Sequence, residues 1–380
     1  MIVGCPKEVK PQEGRVGLLP AGAAELVRNK HKVLIQKGAG ELAGAPDEQY
    51  SLAGAELVET AAEVFARADL IVKVKEPQPE EYVHVRGGQV VFTYFHFASS
   101  RSLTEAMLQS QAVCIAYETV EEPGRRLVLL EPMSEVAGRM AILEGLHHLR
   151  SCSGGKGVLL GGVPGVPRGK VLILGGGVVG LNAAKAAAGI GATVVIMDCN
   201  FTRLRFLDDI LPRNCTTRYF SEAALVQELG DADLVVGAVL LAGCKAPKLL
   251  RREHLKRMQR GSLVVDVAVD HGGCCETSRG TSHAAPTFEV EGILHYGVAN
   301  MPGAVPVTAT AALASATLPY VLQIANFGWA EACSRCEALR KGLSVARGRV
   351  LHAGVAATFN FPVSSFEDVS AAQSNPTVSA

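Results

Sequence analysis

An excess of charge of either sign is what this sequence most plainly lacks: 37 basic and 37 acidic side chains among 380 residues leave a formal net charge of zero. Without a basic field, the chain has no means of holding nucleic acid or an anionic membrane through their phosphates. Aromatic residues are scarce, at 5% with one tryptophan, whereas 40 glycines and abundant alanine suit closely packed α/β layers. Met1-Ile-Val-Gly-Cys5 reads as a strand rather than a basic region before an apolar run, so no secretory signal is expected. No myristoylation or prenylation motif is present. The ten cysteines are scattered, and without a secretory context they read as reduced thiols in a reducing, cytoplasmic compartment. Cys333 and Cys336 form C-x-x-C, but no second pair or histidine doublet stands at zinc-site spacing, so no metal is expected.

What the sequence does hold is the stretch from Val171 to Asp198. Val171-Leu-Ile-Leu174 is an apolar run, Gly175-Gly-Gly-Val-Val-Gly180 follows, and an alanine-rich helical segment leads to Thr193-Val-Val-Ile-Met-Asp198. This is a βαβ unit carrying G-x-G-x-x-G at Gly175, Gly177 and Gly180. Gly175 permits a sharp turn out of the strand, Gly177 has no Cβ to obstruct a pyrophosphate, and Gly180 lets helix and sheet approach closely. The phosphates of a dinucleotide would lie at the helix N-terminus, where free N–H groups and the helix dipole favour an anion. Asp198, roughly twenty residues after the glycines, can accept from both ribose hydroxyls. Cys199 and Asn200 follow it rather than an arginine, which favours NAD over NADP, although Arg203 is near. A transmembrane reading of this window fails on its glycines, on Asn182 and Lys185, and on the two β-branched runs that bracket the helix.

A chain of this length suggests about two domains. Strand and helix patterns alternate through the first 130 residues, with strands at 32–36, 56–58, 70–74, 90–94 and 113–116, as in a mostly parallel sheet covered on both faces. Ligands of such sheets bind beyond the carboxyl ends of strands, which singles out Lys73-Val-Lys75 and Thr93-Tyr-Phe-His96. Glu131 opens a long helix to about Leu149, with Ser134 placed to cap it. After Asp198, helices are expected at 201–210, 221–229 and 251–258, and strands at 232–238, 262–267 and 293–296. Residues 309–326 and 329–341 read as helices, and everything from about 327 onward as helix and loop.

Ten segments in order, from residue 3 to about 345, resemble the L-alanine dehydrogenases and the related transhydrogenase alpha subunits. They are Pro6-Lys-Glu-Val with Arg15-Val-Gly-Leu, Val72-Lys-Val-Lys-Glu-Pro, Phe92-Thr-Tyr-Phe-His-Phe-Ala, Ala116-Tyr-Glu-Thr, Pro132-Met-Ser-Glu-Val-Ala-Gly-Arg, Leu174-Gly-Gly-Gly-Val-Val-Gly, Gly237-Ala-Val-Leu, Lys245-Ala-Pro-Lys-Leu, Asp266-Val-Ala-Val-Asp-His-Gly-Gly-Cys and Val298-Ala-Asn-Met-Pro-Gly-Ala-Val-Pro. The resemblance implies an α/β fold of two Rossmann-like, doubly wound domains with mostly parallel sheets, connected by long helices. It implies a discontinuous catalytic domain, 1–130 plus 305–380, and an NAD-binding domain, 131–304. It implies the reversible conversion of L-alanine, NAD and water to pyruvate, ammonium and NADH by a homohexamer. Residue by residue, it implies Arg15, Lys75 and Asn300 at the substrate and His96 and Asp270 in proton transfer. Ser134, Gly175, Gly177, Val178, Val179, Gly180, Asp198, Arg203, Val239, Leu240, Asp270, Arg279 and Met301 would line the cofactor.

The chemistry asks for such groups whatever the family. Oxidative deamination removes a hydride from Cα, adds water to an iminium and expels ammonia. It needs cations for a carboxylate, which arginine holds bidentately and lysine as a point charge. It also needs a base that titrates near neutrality, which histidine supplies. Taken singly, Arg15 reads equally well as a loop arginine, His96 as a satisfied core histidine between Phe95 and Phe97, Lys75 as a solvated strand end, and Asp270 as a turn former before Gly272. Their joint occurrence at loops and strand ends favours the catalytic reading. His271, where glutamine is expected after the site aspartate, is a departure. The competing readings are an NAD-binding transhydrogenase subunit, an opine-type dehydrogenase with a larger pocket, and an NAD-binding sensor without turnover.

Overall fold

Apolar β-branched runs too short for helices, spaced by amphipathic segments, form two mostly parallel sheets. The computed structural model describes residues 1–239 and 246–370, so Leu240 and Cys244, and Lys245 of the Lys245-Ala-Pro-Lys-Leu segment, lie outside the described residues. The chain forms two compact units: Met1–Met133 with the chain from Gly303 onward, and Ser134–Pro302.

In the first unit, β1 (Ile2–Cys5), β2 (Lys32–Gln36), β3 (Glu56–Val58), β4 (Leu70–Val72), β5 (Val90–Thr93) and β6 (Val113–Ala116) pair in parallel. The second unit holds β7 (Lys170–Leu174), β8 (Thr193–Asp198), β9 (Cys215–Tyr219), β10 (Leu234–Gly237), β11 (Leu263–Asp266), β12 (Thr287–Val290) and β13 (Ile293–Tyr296). The chain then returns to the first unit as β14 (Leu343–Ala346) and β15 (Arg349–Val350). Sheet order is β15-β14-β6-β5-β4-β1-β2-β3 in the first unit and β12-β13-β11-β10-β7-β8-β9 in the second. Strands β4, β5, β6, β10 and β11 are buried at every residue, which is why they read as continuous apolar runs without alternation. In each sheet the winding reverses beside the first strand, between β1 and β4 and between β7 and β10. The carboxyl ends of these strands are therefore where a doubly wound sheet offers a binding crevice.

The structure corrects several expectations. The long helix runs Glu131–His148, so Ser134 sits in its first turn and does not cap it; Pro132, preset in φ and needing no N–H partner there, suits that turn. The C-terminal part is not only helix and loop. β14 pairs antiparallel with β6, its four residues all buried, and widens the first sheet. The expected 329–341 helix is two, Trp329–Arg335 and Glu337–Gly342, broken at Cys336, whose backbone is extended (φ −122°, ψ 104°). Only Arg252–Leu255 of the 251–258 segment is helical. β9 and β12 were not foreseen because they are partly exposed edge strands with a weak signal: Cys215–Tyr219 is largely polar, and Thr287–Val290 alternates over only four residues.

Helix Pro306–Phe327 has a window of mean hydropathy 1.3, long and apolar enough by composition to cross a bilayer. It packs instead within the first unit: Ala309, Leu313, Val321 and Ile324 are buried, and Thr310 Oγ1 accepts the Val16 N–H at 3.2 Å. The nine described cysteines are free thiols.

Candidate active site

The second unit builds its crevice from the glycine loop between β7 and helix Val178–Gly189. Gly175 adopts φ +105°, and a Cβ there would lie 2.7 Å from the Ala238 carbonyl oxygen and 2.9 Å from Val239 Cγ2, so Val239 abuts the loop. A Cβ on Gly180 would stand 1.9 Å from the Gly175 carbonyl oxygen, so helix and loop can close only over glycine. A Cβ on Gly177, by contrast, meets no protein atom within 4 Å. That face of the loop is kept bare beside the first N–H groups of the helix, at Val178 and Val179, the arrangement a pyrophosphate requires. Asp198 closes β8, with Oδ2 accepting the Gly176 N–H at 2.7 Å and Oδ1 the Asn200 N–H at 2.8 Å. Its carboxylate is thus oriented at the edge of the loop, with lone pairs remaining for ribose hydroxyls. Arg203 donates from Nε to the Gly176 carbonyl and from Nη2 to the Gly177 carbonyl at 3.3 Å, bracing the loop. These residues fit an adenine dinucleotide with free ribose hydroxyls.

Elsewhere in the second unit, Asp270 lies in the short 3₁₀ turn Val267–His271 just past β11, one turn beyond the strand end the sequence suggested. Its Oδ2 accepts the Asn300 N–H at 3.1 Å, which brings together two expected site residues thirty positions apart. Asn300 has φ 55°, and Met301 after it is buried. Ser134 is half-buried near the start of its helix. Arg279 lies over the Phe288 ring of β12, its guanidinium carbon 4.3 Å from the centroid.

In the first unit, the chain beyond β1 and β4 forms a dense charged cluster. Arg15 is 2% exposed, and its Nε and Nη2 donate to the two oxygens of Glu13 at 2.7 and 2.5 Å. Nη1 points at Met133 Sδ, 3.0 Å away. Burial disfavours the guanidinium charge, but the hydrogen bond and charge of Glu13 outweigh it and hold Arg15 more firmly protonated than usual. Lys75 is neighbour to Arg15, and burial, followed by the fields of Arg15 and Lys10, lowers its pKa. Beneath them Lys73 is fully buried, its Nζ 2.8 Å from Glu81 and 3.4 Å from Glu8. Glu8 Oε1 in turn accepts the Val74 N–H at 2.7 Å and fixes the end of β4.

His96 follows β5 in a left-handed conformation (φ 50°, ψ 41°), uncommon for any residue but glycine. Its ring is half-buried and parallel to Tyr94, with centroids 6.0 Å apart. A residue that sequence reasoning did not single out holds this geometry. Glu118, just past the neighbouring strand β6, accepts the His96 N–H at 2.6 Å with Oε1 and the Phe95 N–H at 3.2 Å with Oε2. Its signal was available, since it is an acid at the carboxyl end of a buried central strand. Glu13 and Met133 were also missed, because their roles depend on where Arg15 points.

Residues 4–137 match the model of the alanine dehydrogenase/PNT N-terminal domain, and residues 141–353 that of the C-terminal domain. The chain belongs to this family. It is 49% identical to the alanine dehydrogenase of Mycolicibacterium smegmatis over 95% of this chain and 98% of that one. With the alanine dehydrogenase of Bacillus subtilis it shares 51% identity over 94% of each. A solved L-alanine dehydrogenase superposes with a TM-score of 0.92 at 49% identity, covering 95% of this chain and 99% of its own. The transhydrogenase from Sinorhizobium meliloti is more distant, with a TM-score of 0.79 at 25% identity over 93% of this chain and 99% of its own. Membership accounts for the ten segments noted above, and the fold is that of the family.

Proposed function

We propose that this chain is an NAD-dependent L-alanine dehydrogenase, which catalyses the reversible oxidative deamination of L-alanine to pyruvate and ammonium. The observation that carries the reading is the pairing, in one chain about half identical to alanine dehydrogenases along nearly its whole length, of a dinucleotide cradle with a buried cationic cluster and a histidine held at a strand end. NAD supplies the hydride acceptor when bound, on the Gly175–Gly180 loop with Asp198 at the ribose; Ser134, Arg203, Val239, Leu240, Asp270, Arg279 and Met301 are proposed to complete its site.

In this reading the Ser134–Pro302 unit binds NAD, and the other unit carries the substrate groups. Arg15 and Lys75 hold the carboxylate and carbonyl oxygen of pyruvate, and Asn300 is proposed as a further substrate residue. His96 accepts and returns the proton that moves at the substrate nitrogen or oxygen, and Asp270 orients the water that adds to the iminium. Two nearby cations suit a small 2-oxo acid, and desolvation strengthens their hold on it. A cytoplasmic homohexamer without a membrane partner belongs to the same proposal, as the resemblance to alanine dehydrogenases implies.

The test is NADH formation from L-alanine and NAD at alkaline pH, followed at the reduced-nicotinamide absorbance, beside glycine, L-lysine and NADP. Turnover with alanine that vanishes in His96→Ala supports the assignment. Firm NAD binding with no turnover of any amino acid overturns it in favour of a transhydrogenase-like or sensing role.

A further inference from the structure

We infer that Glu13 sets the charge of the substrate pocket and thereby makes it select a singly charged 2-oxo acid over a doubly charged one. The inference rests on the proposed role of Arg15 and Lys75 in holding the substrate carboxylate.

Four cations gather at this end of the first sheet: Lys10, Arg15, Lys73 and Lys75. Three are answered inside the protein. Lys10 Nζ lies 2.6 Å from Glu76, and Lys73 is shared between Glu81 and Glu8. Arg15 is met along its Nε–Nη2 edge by both oxygens of Glu13, and the two side chains are 2% and 0% exposed. Glu13 Oε1 also accepts the backbone N–H of Arg15 at 3.1 Å, so the carboxylate is tied to the residue it neutralises. Lys75 alone of the four makes no ion pair within 4.0 Å among the described residues.

Of the two cationic side chains proposed to hold the substrate, Arg15 is thus matched by Glu13 and Lys75 is not, so together with Glu13 the two offer a ligand the charge of one ammonium. One carboxylate balances it. A second negative charge would be desolvated beside Glu13 and Glu8 without a cation of its own, an arrangement proteins avoid. Glu13→Gln keeps the shape of the clamp, removes its charge and frees the charge of Arg15. At an effective dielectric of about 20, one unit charge a few ångströms from the ligand shifts the relative affinity for ligands one charge apart by at least roughly tenfold.

Oxamate and oxalate test this, because they have nearly the same planar shape as pyruvate and differ from each other by one negative charge. Their inhibition constants against pyruvate are measured for the intact enzyme and for Glu13→Gln and Glu13→Asp. The wild type is expected to bind oxamate at least as tightly as oxalate. In Glu13→Gln the ratio shifts at least tenfold toward oxalate, and in Glu13→Asp both inhibitors weaken while the ratio stays near that of the wild type. The ratio is insensitive to how much protein is folded, so a merely structural role would not move it. An unchanged ratio in Glu13→Gln overturns the inference. A wild-type preference for oxalate also overturns it, and needs no variant to fold. If neither inhibitor competes with pyruvate, the assignment of Arg15 and Lys75 as the carboxylate site fails, and this inference with it.

Discussion

Replacing Glu118 by glutamine is the sharpest probe of how the site is held. The wild-type carboxylate receives two backbone N–H groups, at 2.6 Å from His96 and 3.2 Å from Phe95, and keeps His96 at φ 50°. The left-handed region costs an ordinary L-residue roughly 1–2 kcal/mol, so these two hydrogen bonds oppose a standing tendency of the backbone to relax. Glutamine offers one oxygen where glutamate offers two, and no charge. Losing one charge-assisted hydrogen bond is worth about 1.5–3 kcal/mol, which is comparable to or larger than the cost of the strained conformer. If that energy serves to aim the imidazole, kcat falls roughly tenfold to a hundredfold. The KM for pyruvate, set by Arg15 and Lys75, should change less than about threefold, since a group that acts only on proton transfer leaves ground-state binding in place. The assay is steady-state NADH oxidation with pyruvate and ammonium, with NAD affinity measured separately. A kcat within twofold of wild type would refute the reasoning. So would a loss confined to KM.

Two further outcomes follow from other parts of the site. Gly180→Ala places a Cβ 1.9 Å from the Gly175 carbonyl and should lower stability by about 1–3 kcal/mol, whereas Gly177→Ala, whose Cβ meets no protein atom within 4 Å, should leave thermal unfolding unchanged and weaken NAD; wild-type NAD affinity in Gly177→Ala would sink the pyrophosphate assignment. Lys75, whose pKa is lowered by burial and by Arg15 and Lys10, should lose its charge, and pyruvate its affinity, as pH rises through a value below the usual 10.5. Because the unfolded chain binds the extra proton between the two pKa values, Lys75 by itself makes stability rise with pH in that window even as binding falls. Lys75→Arg should remove the binding limb, and its persistence there would assign the limb to another group.

By itself the sequence determined what local physics controls. The strand–glycine–helix–strand–acid order from Val171 to Asp198 is specified within one contiguous stretch, because each glycine answers to a neighbour only a few positions away and Asp198 closes the adjacent strand. The central strands were legible because burial on both faces demands unbroken β-branched runs. The edges were not: β9, β12 and β14 are short, and their place depends on partners far along the chain, as β14 depends on β6 more than two hundred residues earlier. The same divide runs through the site. Their place at strand ends marked Lys75 and His96 as worth attention, and family likeness added Arg15 and Asp270 and gave all four their roles. Only the tertiary structure decided that Glu13 takes the flat edge of Arg15, that Glu118 reaches from one strand end to the next to hold His96, and that Asp270 is tied to Asn300. Hydrogen bonds and charges act over a few ångströms in space, and a folded sheet alone brings residues of distant sequence within that range.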